Sequence, residues 1–244
     1  MPARFFIEGT HAAGDEVALD PGDARKIATV LRMRDGDEIE TIDSSSTRYR
    51  ATLRIDGASV RARLVEAVAG RPEPGLRVVV AQGIPKGQKM DFVVEKLTEL
   101  GAAEIVPLRS ARAVADASPA KLERWRRLAR SAAMQCGRSD VPAVGEPTGI
   151  DGLAARCGAF DVVLVPWESA DPSPLRDVLP GLLAGARSVL IAIGPEGGFG
   201  QDEVARLRAV GAHAVSLGGR ILRTETAGLA LLAILEYAVE ARTG

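Results

Sequence analysis

The stretch that most restricts how this chain can fold is its last quarter, Val189 to Glu240, where two apolar segments each break into a glycine-bearing loop and then a helix. Val189 to Ile193 has the length and composition of a buried strand and stops at Gly194-Pro195-Glu196-Gly197-Gly198-Phe199-Gly200. Lacking a Cβ, the glycines let such a loop bring backbone close to a ligand. Asp202 to Val210 then reads as a helix, with Val204, Leu207 and Val210 on one face, Gly200 as N-cap, Glu203 at the third helical position and Gly211 as the stop. A short strand, Ala214 to Leu217, leads into Gly218-Gly219-Arg220-Ile221-Leu222-Arg223, and Thr224 is placed to cap an apolar helix that runs to about Ala241. Two glycine-bearing loops thus fall at the carboxyl ends of strands, where open parallel sheets bind ligands.

Strand and helix alternate from residue 76 onward, the pattern of an α/β unit whose parallel sheet is covered on both faces. Arg77 to Gln82 reads as a strand, and the loop from Gly83 to Lys89 opens a helix with Met90, Val93, Val94, Leu97 and Leu100 at helical spacing. Ser118-Pro119 starts a further helix to Cys136, with Leu122, Trp125 and Ala129 inward and Lys121, Arg124, Arg126, Arg127 and Arg130 on the remaining positions. Residues 1–70 follow another rule. Five short segments (Arg4 to Glu8, Glu16 to Leu19, Glu38 to Ile42, Tyr49 to Ile55, Val60 to Ala67) read as strands around one helix, Asp23 to Met33, with Ile27, Val30 and Leu31 on a face. So many short strands predict a small barrel-like domain, which closure would rid of edges. Arg71-Pro72-Glu73-Pro74-Gly75 reads as the linker, giving domains 1–70 and 76–244.

Composition excludes several classes. No apolar run reaches the roughly 18 residues of a membrane span, and MPARFFIEG lacks a signal-peptide pattern, so a cytoplasmic protein without a membrane partner is expected. Two cysteines, Cys136 and Cys157, and two histidines, His11 and His213, support neither a disulfide framework nor a zinc site, and no metal is expected. Neither GxGxxG nor GxxxxGK[ST] occurs, which removes direct support for a dinucleotide or ATP enzyme. The net charge of -1 argues against a general nucleic-acid binder, yet residues 71–140 hold 13 basic and 8 acidic side chains. The basic helix, with Lys86 and Lys89, is therefore either an RNA-contacting surface or a solvated face. Leu222-Arg223-Thr224-Glu225-Thr226 gathers charge and hydroxyls at the start of an apolar helix. Cys136 is either a pyrimidine-attacking nucleophile or a buried helix-end residue. Trp125 reads as core, and Trp167, beside Glu168, is left open.

Several motifs in order carry a family resemblance: Val30-Leu31-Arg32-Met33 with Gly36-Asp37, Lys86-Gly87-Gln88-Lys89-Met90 with Glu95-Lys96 and Glu99-Leu100-Gly101, Gln135-Cys136-Gly137-Arg138, Ile193 to Gly198, and Leu217-Gly218 through Arg220 to Ala227. Over essentially its whole length the chain resembles the RsmE family of SPOUT-class RNA methyltransferases, which methylate N3 of a uridine in 16S ribosomal RNA. The resemblance implies a PUA-like RNA-binding β-barrel domain followed by a SPOUT domain with a C-terminal trefoil knot. It also implies a homodimer acting on 16S rRNA in the 30S subunit, with S-adenosylmethionine (SAM) as cofactor. By the match, Gly194, Glu196, Gly197, Leu217, Gly218, Ile221, Leu222 and Thr226 would bind the cofactor. Arg223 would face the uracil anion, with Glu225 or Glu196 as proton acceptor or orienter, and Arg32, Lys86, Lys89, Arg127, Arg130 and Arg138 would contact RNA. Lys26 and Gly200 depart from the family's usual histidine and serine.

Overall fold

The computed structural model describes residues 2–57, 59–69, 75–113, 115–168 and 173–243, and the chain divides into two compact units. One comprises residues 1–72 with 133–140, the other residues 73–132 with 141–244. Four of the five residues read as a linker, Arg71 to Pro74, lie outside the described residues.

In the first unit β1 (Ala3–Phe6), β2 (Glu16–Ala18), β3 (Glu38–Ile42), β4 (Arg48–Asp56) and β5 (Ser59–Val68) form one sheet in the order β1-β3-β4-β5-β2. Only the β1–β3 pairing is parallel. Alternation along β4 and β5 sends Tyr49, Ala51, Leu53, Val60, Ala62 and Leu64 into a core with Phe5, Ile27 and Ile39, and turns Arg50, Arg54, Arg61 and Arg63 outward. The register slips between Arg50 and Ala51, opposite Glu66 and Leu64, which leaves Val65 as the extra residue of a bulge and explains its exposure. Among the described residues β1 and β2 end the sheet without pairing to each other, so the pairing gives an open order rather than a closed ring.

The helix expected over Asp23 to Met33 begins earlier, at Pro21, and changes pitch. Asp20 caps α1 (Pro21–Lys26) by accepting the Gly22 N–H at 2.7 Å, and Pro21 occupies the first turn. A single π turn then covers Ile27–Leu31. Bonds from residue i to i+5 widen the turn, so only Ile27 stays inward while Val30 and Leu31 face solvent, contrary to the shared face read from their spacing.

The second unit holds β6 (Arg77–Gly83), α2 (Lys89–Glu99), β7 (Glu104–Leu108), most of α3 (Pro119–Cys136), β8 (Ala143–Val144), α4 (Ile150–Cys157), β9 (Val162–Pro166), β10 (Ser173–Pro174), α5 (Leu175–Leu182), β11 (Ser188–Ile193), α6 (Gln201–Ala209), β12 (His213–Ser216) and α7 (Thr224–Thr243). Its seven strands run parallel in the order β10-β12-β9-β11-β6-β7-β8. Both faces are covered, which is why these strands are continuously apolar. Val78, Val80, Leu164 and Ile191 pack under α2, α3, α5 and α7, while Val79, Ala81, Val163 and Leu190 pack under α4 and α6. Each such aliphatic side chain removed from water contributes about 1.5–3 kcal/mol. Among the described residues no helix is long and apolar enough to cross a membrane.

Candidate active site

Four adjacent strands, β12, β9, β11 and β6, end on the same side of the parallel sheet, and the loops that follow them meet there. Two adjoining cavities, of about 460 and 300 Å³, lie between these loops and share Pro166, Glu168, Ile221, Leu222 and Ala227. The larger is walled by Trp167 after β9 and by Leu217, Gly218 and Gly219 after β12. The smaller is walled by Gly194 to Glu196 after β11, by Lys89 at the start of α2, and by Arg223 to Glu225.

Glycine is required where the loops close on one another. A Cβ on Gly83, at the end of β6, would fall 2.5 Å from the Pro195 backbone nitrogen. Gly198 has φ +64°, and a Cβ there would approach Glu168 Oε1 to 2.8 Å. A turn in which the Gly198 N–H donates to the Pro195 carbonyl at 2.9 Å fixes the loop after β11. Thr224 does not cap its helix as read from the sequence. Its buried hydroxyl donates to the Gly194 carbonyl at 2.5 Å and accepts from Gln82 Nε2 at 2.8 Å, tying α7 to the ends of β11 and β6. Glu203 instead caps α6, its carboxylate accepting the Gly200 N–H at 2.8 Å and the Ala111 N–H at 2.8 Å.

Four charges of the smaller cavity, Glu196, Lys89, Glu225 and Arg223, form one cluster. Glu196 Oε1 accepts the Lys86 backbone N–H at 3.0 Å and the Lys89 ammonium at 3.3 Å. The same ammonium lies 3.4 Å from Glu225 Oε2. Partial burial pushes the Glu196 carboxyl up, but its own backbone N–H, the Lys86 N–H and the Lys89 ammonium outweigh that and hold it below the usual carboxylate range. A carboxylate held in its ionised form is a weak proton acceptor. Arg223 Nη1 is 4.0 Å from Glu225 Oε1, and its side chain is 83% exposed against 16% for Glu225.

Of the residues read from the sequence, Gly194, Glu196, Leu217, Gly218, Ile221, Leu222, Arg223 and Glu225 are brought together around the cavities. Gly197 and Thr226 are not in the lining. Gly197 packs on Arg112, whose guanidinium donates to its carbonyl at 3.0 Å, and the neighbouring Gly198 lines the cavity instead. Thr226 is turned to solvent, and one helical step further Ala227 faces inward. Lys89, read as an RNA contact, is part of the lining, whereas Lys86 offers Glu196 its backbone and leaves its side chain exposed. Arg127 and Arg130 stand on α3 outside both linings, and Arg32 and Arg138 belong to the first unit. Arg138, read as an RNA contact, is buried, and its guanidinium donates to Asp140 at 2.8 Å. Cys136 is exposed rather than buried, and no cysteine lines either cavity. Trp125 is core, donating to Asp91 at 3.1 Å.

The sequence reading missed Pro166 and Glu168. No motif marks them, because their placement follows from β9 lying between β11 and β12, a pairing between segments distant in the chain. The apolar run Val162 to Val165 before Pro166-Trp167-Glu168 is the local sequence signal of that strand end. Among the described residues no group of three or more histidine, cysteine or carboxylate side chains converges as a metal site.

With this geometry in place, the chain can be set beside known proteins. A family model described as an RNA methyltransferase domain matches residues 71–236. Ribosomal RNA small subunit methyltransferase E of Bacillus subtilis (strain 168) is 33% identical over 255 residues, covering 99% of this chain and 98% of that protein. The protein of the same name from Mycobacterium tuberculosis is 32% identical over 238 residues, covering 93% and 88%. A crystal structure of a ribosomal RNA small subunit methyltransferase E from Neisseria gonorrhoeae bound to S-adenosyl methionine has a TM-score of 0.88 at 29% identity, covering 98% of each chain. On the family model and on relatives above 30% identity that match it nearly end to end, the chain belongs to the ribosomal RNA small subunit methyltransferase E family.

Proposed function

We propose that this protein transfers a methyl group from SAM to N3 of a uridine in 16S ribosomal RNA. The observation that carries the reading is the pair of adjoining cavities at the strand ends, one with an apolar wall and glycine backbone, the other with a lysine, an arginine and three carboxylates. Family membership supports the coarser statement, SAM-dependent methylation of small-subunit ribosomal RNA.

The residues present suit SAM. About 460 Å³ lies within the range of small-molecule sites, and Leu217, Ile221 and Leu222 offer apolar contact beside the backbone of Gly218 and Gly219. Glu168 makes no hydrogen bond or ion pair among the described residues, so its carboxylate is free to accept from donors of a bound molecule. When bound, SAM supplies an electrophilic methyl on a sulfonium. The chain's own residues have three tasks: to place the acceptor base in the smaller cavity, to take up the proton that uracil N3 must lose, and to stabilise the resulting negative charge. Glu225, half-buried at the start of α7, is placed to accept the proton, and Arg223 is available to the anion from the solvent side. Glu196 acts as an anchor for the Lys86–Lys89 loop, consistent with its lowered affinity for protons.

In the same proposal residues 1–70 act as a PUA-like RNA-binding domain, and residues 76–244 as a SPOUT domain whose knot is formed by the loops after β11 and β12. A homodimer working on the 30S subunit in the cytoplasm completes it. Transfer of labelled methyl from SAM to unmodified 30S subunits, with naked 16S rRNA alongside, tests the reading by nucleoside analysis. N3-methyluridine on the subunits is the expected product; a label on another atom, or none despite SAM binding, would sink it.

A further inference from the structure

We infer that Lys89 is the principal cation that stabilises the uracil anion at the reacting centre, rather than a contact to the RNA backbone. This rests on the N3 reading above. Four observations carry it. Its ammonium lies in the lining of the smaller cavity and is bracketed by two carboxylates from different elements, Glu196 at 3.3 Å and Glu225 at 3.4 Å. An ammonium has three donors, two of which these partners take, and the side chain keeps 39% of its exposure, so the third is open to a bound base. Arg223, the cation that the sequence pattern favours, is 83% exposed, where water screens its charge. Finally, Glu196 is itself fixed by the Lys86 N–H at 3.0 Å, so the carboxylate that holds Lys89 is anchored to the same loop and not to a mobile partner.

The step balances without any further reactant. The N3–H bond breaks with its proton passing to Glu225, the pair left on N3 forms the bond to the transferred methyl, and the former C–S pair returns to sulfur as a thioether. Negative charge spread over N3, O2 and O4 meets the Lys89 ammonium while it exists. A preorganised cation of this kind costs no reorganisation at the moment of reaction. Phosphate binding would make a different demand, because a lysine that neutralises a backbone phosphate must first give up the carboxylates already paired with it.

The test compares wild type, Lys89→Met, Lys89→Gln and the double variant Lys89→Met/Glu196→Gln in single-turnover transfer to 30S subunits. SAM affinity, RNA affinity and the salt dependence of RNA binding are measured on the same preparations. Each single variant is expected to lose about 10²–10³-fold in rate at saturating RNA, with RNA affinity and salt slope nearly unchanged. The double variant, which also removes the unpaired carboxylate, is expected to remain slow. A saturating rate near wild type with a salt slope reduced by about one would make Lys89 a phosphate contact and overturn the inference. Recovery of the rate in the double variant would overturn it too, since Lys89 would then only neutralise Glu196. Retained SAM affinity separates either result from misfolding, and the Gln variant serves if Met does not fold. Wild-type product analysis isolates the N3 reading itself: N3-methyluridine with unaffected variants refutes only the role of Lys89, whereas a different wild-type product refutes the reading beneath it.

Discussion

Asp43 directly follows β3, where the chain turns back into β4. It is 3% exposed, yet its carboxylate accepts backbone N–H groups from His11 at 3.1 Å, Ser45 at 2.9 Å and Thr47 at 3.0 Å, and the Ser45 hydroxyl at 2.6 Å. Burial pushes its carboxyl up, but these donors win and hold it below the ordinary value of 3.8. The folded state therefore favours the ionised form more than the unfolded state does. That stability is present above the ordinary aspartate value and is lost as pH falls through the lower folded one. Asp43→Asn is expected to cost about 1–3 kcal/mol near neutrality, and the difference from wild type should shrink on going to about pH 3. Denaturant unfolding at the two pH values measures it; an unchanged gap would assign the effect to packing instead of charge. Asp43 was not legible in the sequence, where Asp43-Ser44-Ser45-Ser46-Thr47 is only the polar stretch left between two strands. Residues of the glycine loops were legible because the chemistry is local: a glycine-rich break after an apolar run has few structural uses. Lys89 was legible as a loop cation but its partners were not, since its proximity to Glu196 and Glu225 spans more than 100 positions of chain.

At the scale of elements, what places the cavities is the close seating of β6 against the loop that follows β11. Gly83 ends β6 with Pro195 N, Gly194 C and the Ile193 carbonyl oxygen within 2.9 Å of where a Cβ would stand. All three are backbone atoms, so no side chain can swing aside to make room. Gly83→Ala is expected to push the Gly194–Gly198 turn out, costing about 1–3 kcal/mol as overpacking does. It should also break the tie from Thr224 to Gly194 and weaken SAM binding more than tenfold if the proposed cofactor site is right. Thermal unfolding and SAM titration of one preparation read both effects; wild-type values in both would show that the loop tolerates the shift. Gly36, by contrast, has open space around it, so its φ of +87° alone accounts for glycine there. Sequence periodicity foretold α2 and α3 because their apolar faces repeat at helical spacing, and α6 through Val204 and Leu207, while Val210, read onto the same face, follows the helix as its exposed C-cap. It failed over Ile27–Leu31, where a π turn keeps the same residues but changes which of them share a face.

At the scale of the whole molecule, the division between a segment of alternating short strands and a segment of strand-helix alternation was legible, because periods of two and 3.6 are written locally. Strand order was not, since β9 pairs with β11 and β12 across connections that leave no mark in composition. Charge lies between these cases. The excess of basic residues at 71–140 is visible by counting, but only the fold tells which of them are already spent. On α3, Arg124 meets Asp91 at 2.6 Å, and Arg126 meets Glu123 at 2.7 Å and Glu146 at 2.8 Å. Arg127, exposed between them, has no ion pair among the described residues. A phosphate can therefore approach Arg127 without first displacing a carboxylate, whereas at Arg124 or Arg126 it must compete. If α3 contacts RNA, Arg127→Ala should weaken binding and lower the slope of log affinity against log salt by about one, uniformly across RNA sequences. Arg126→Ala should move that slope little and change stability by less than about 1 kcal/mol, the ordinary worth of an exposed ion pair. Filter binding to unmodified 30S subunits over a range of salt concentrations distinguishes them: equal slopes for Arg127→Ala and wild type would mean that the basic face of α3 serves solubility, and that the charge which holds the RNA lies elsewhere on the chain.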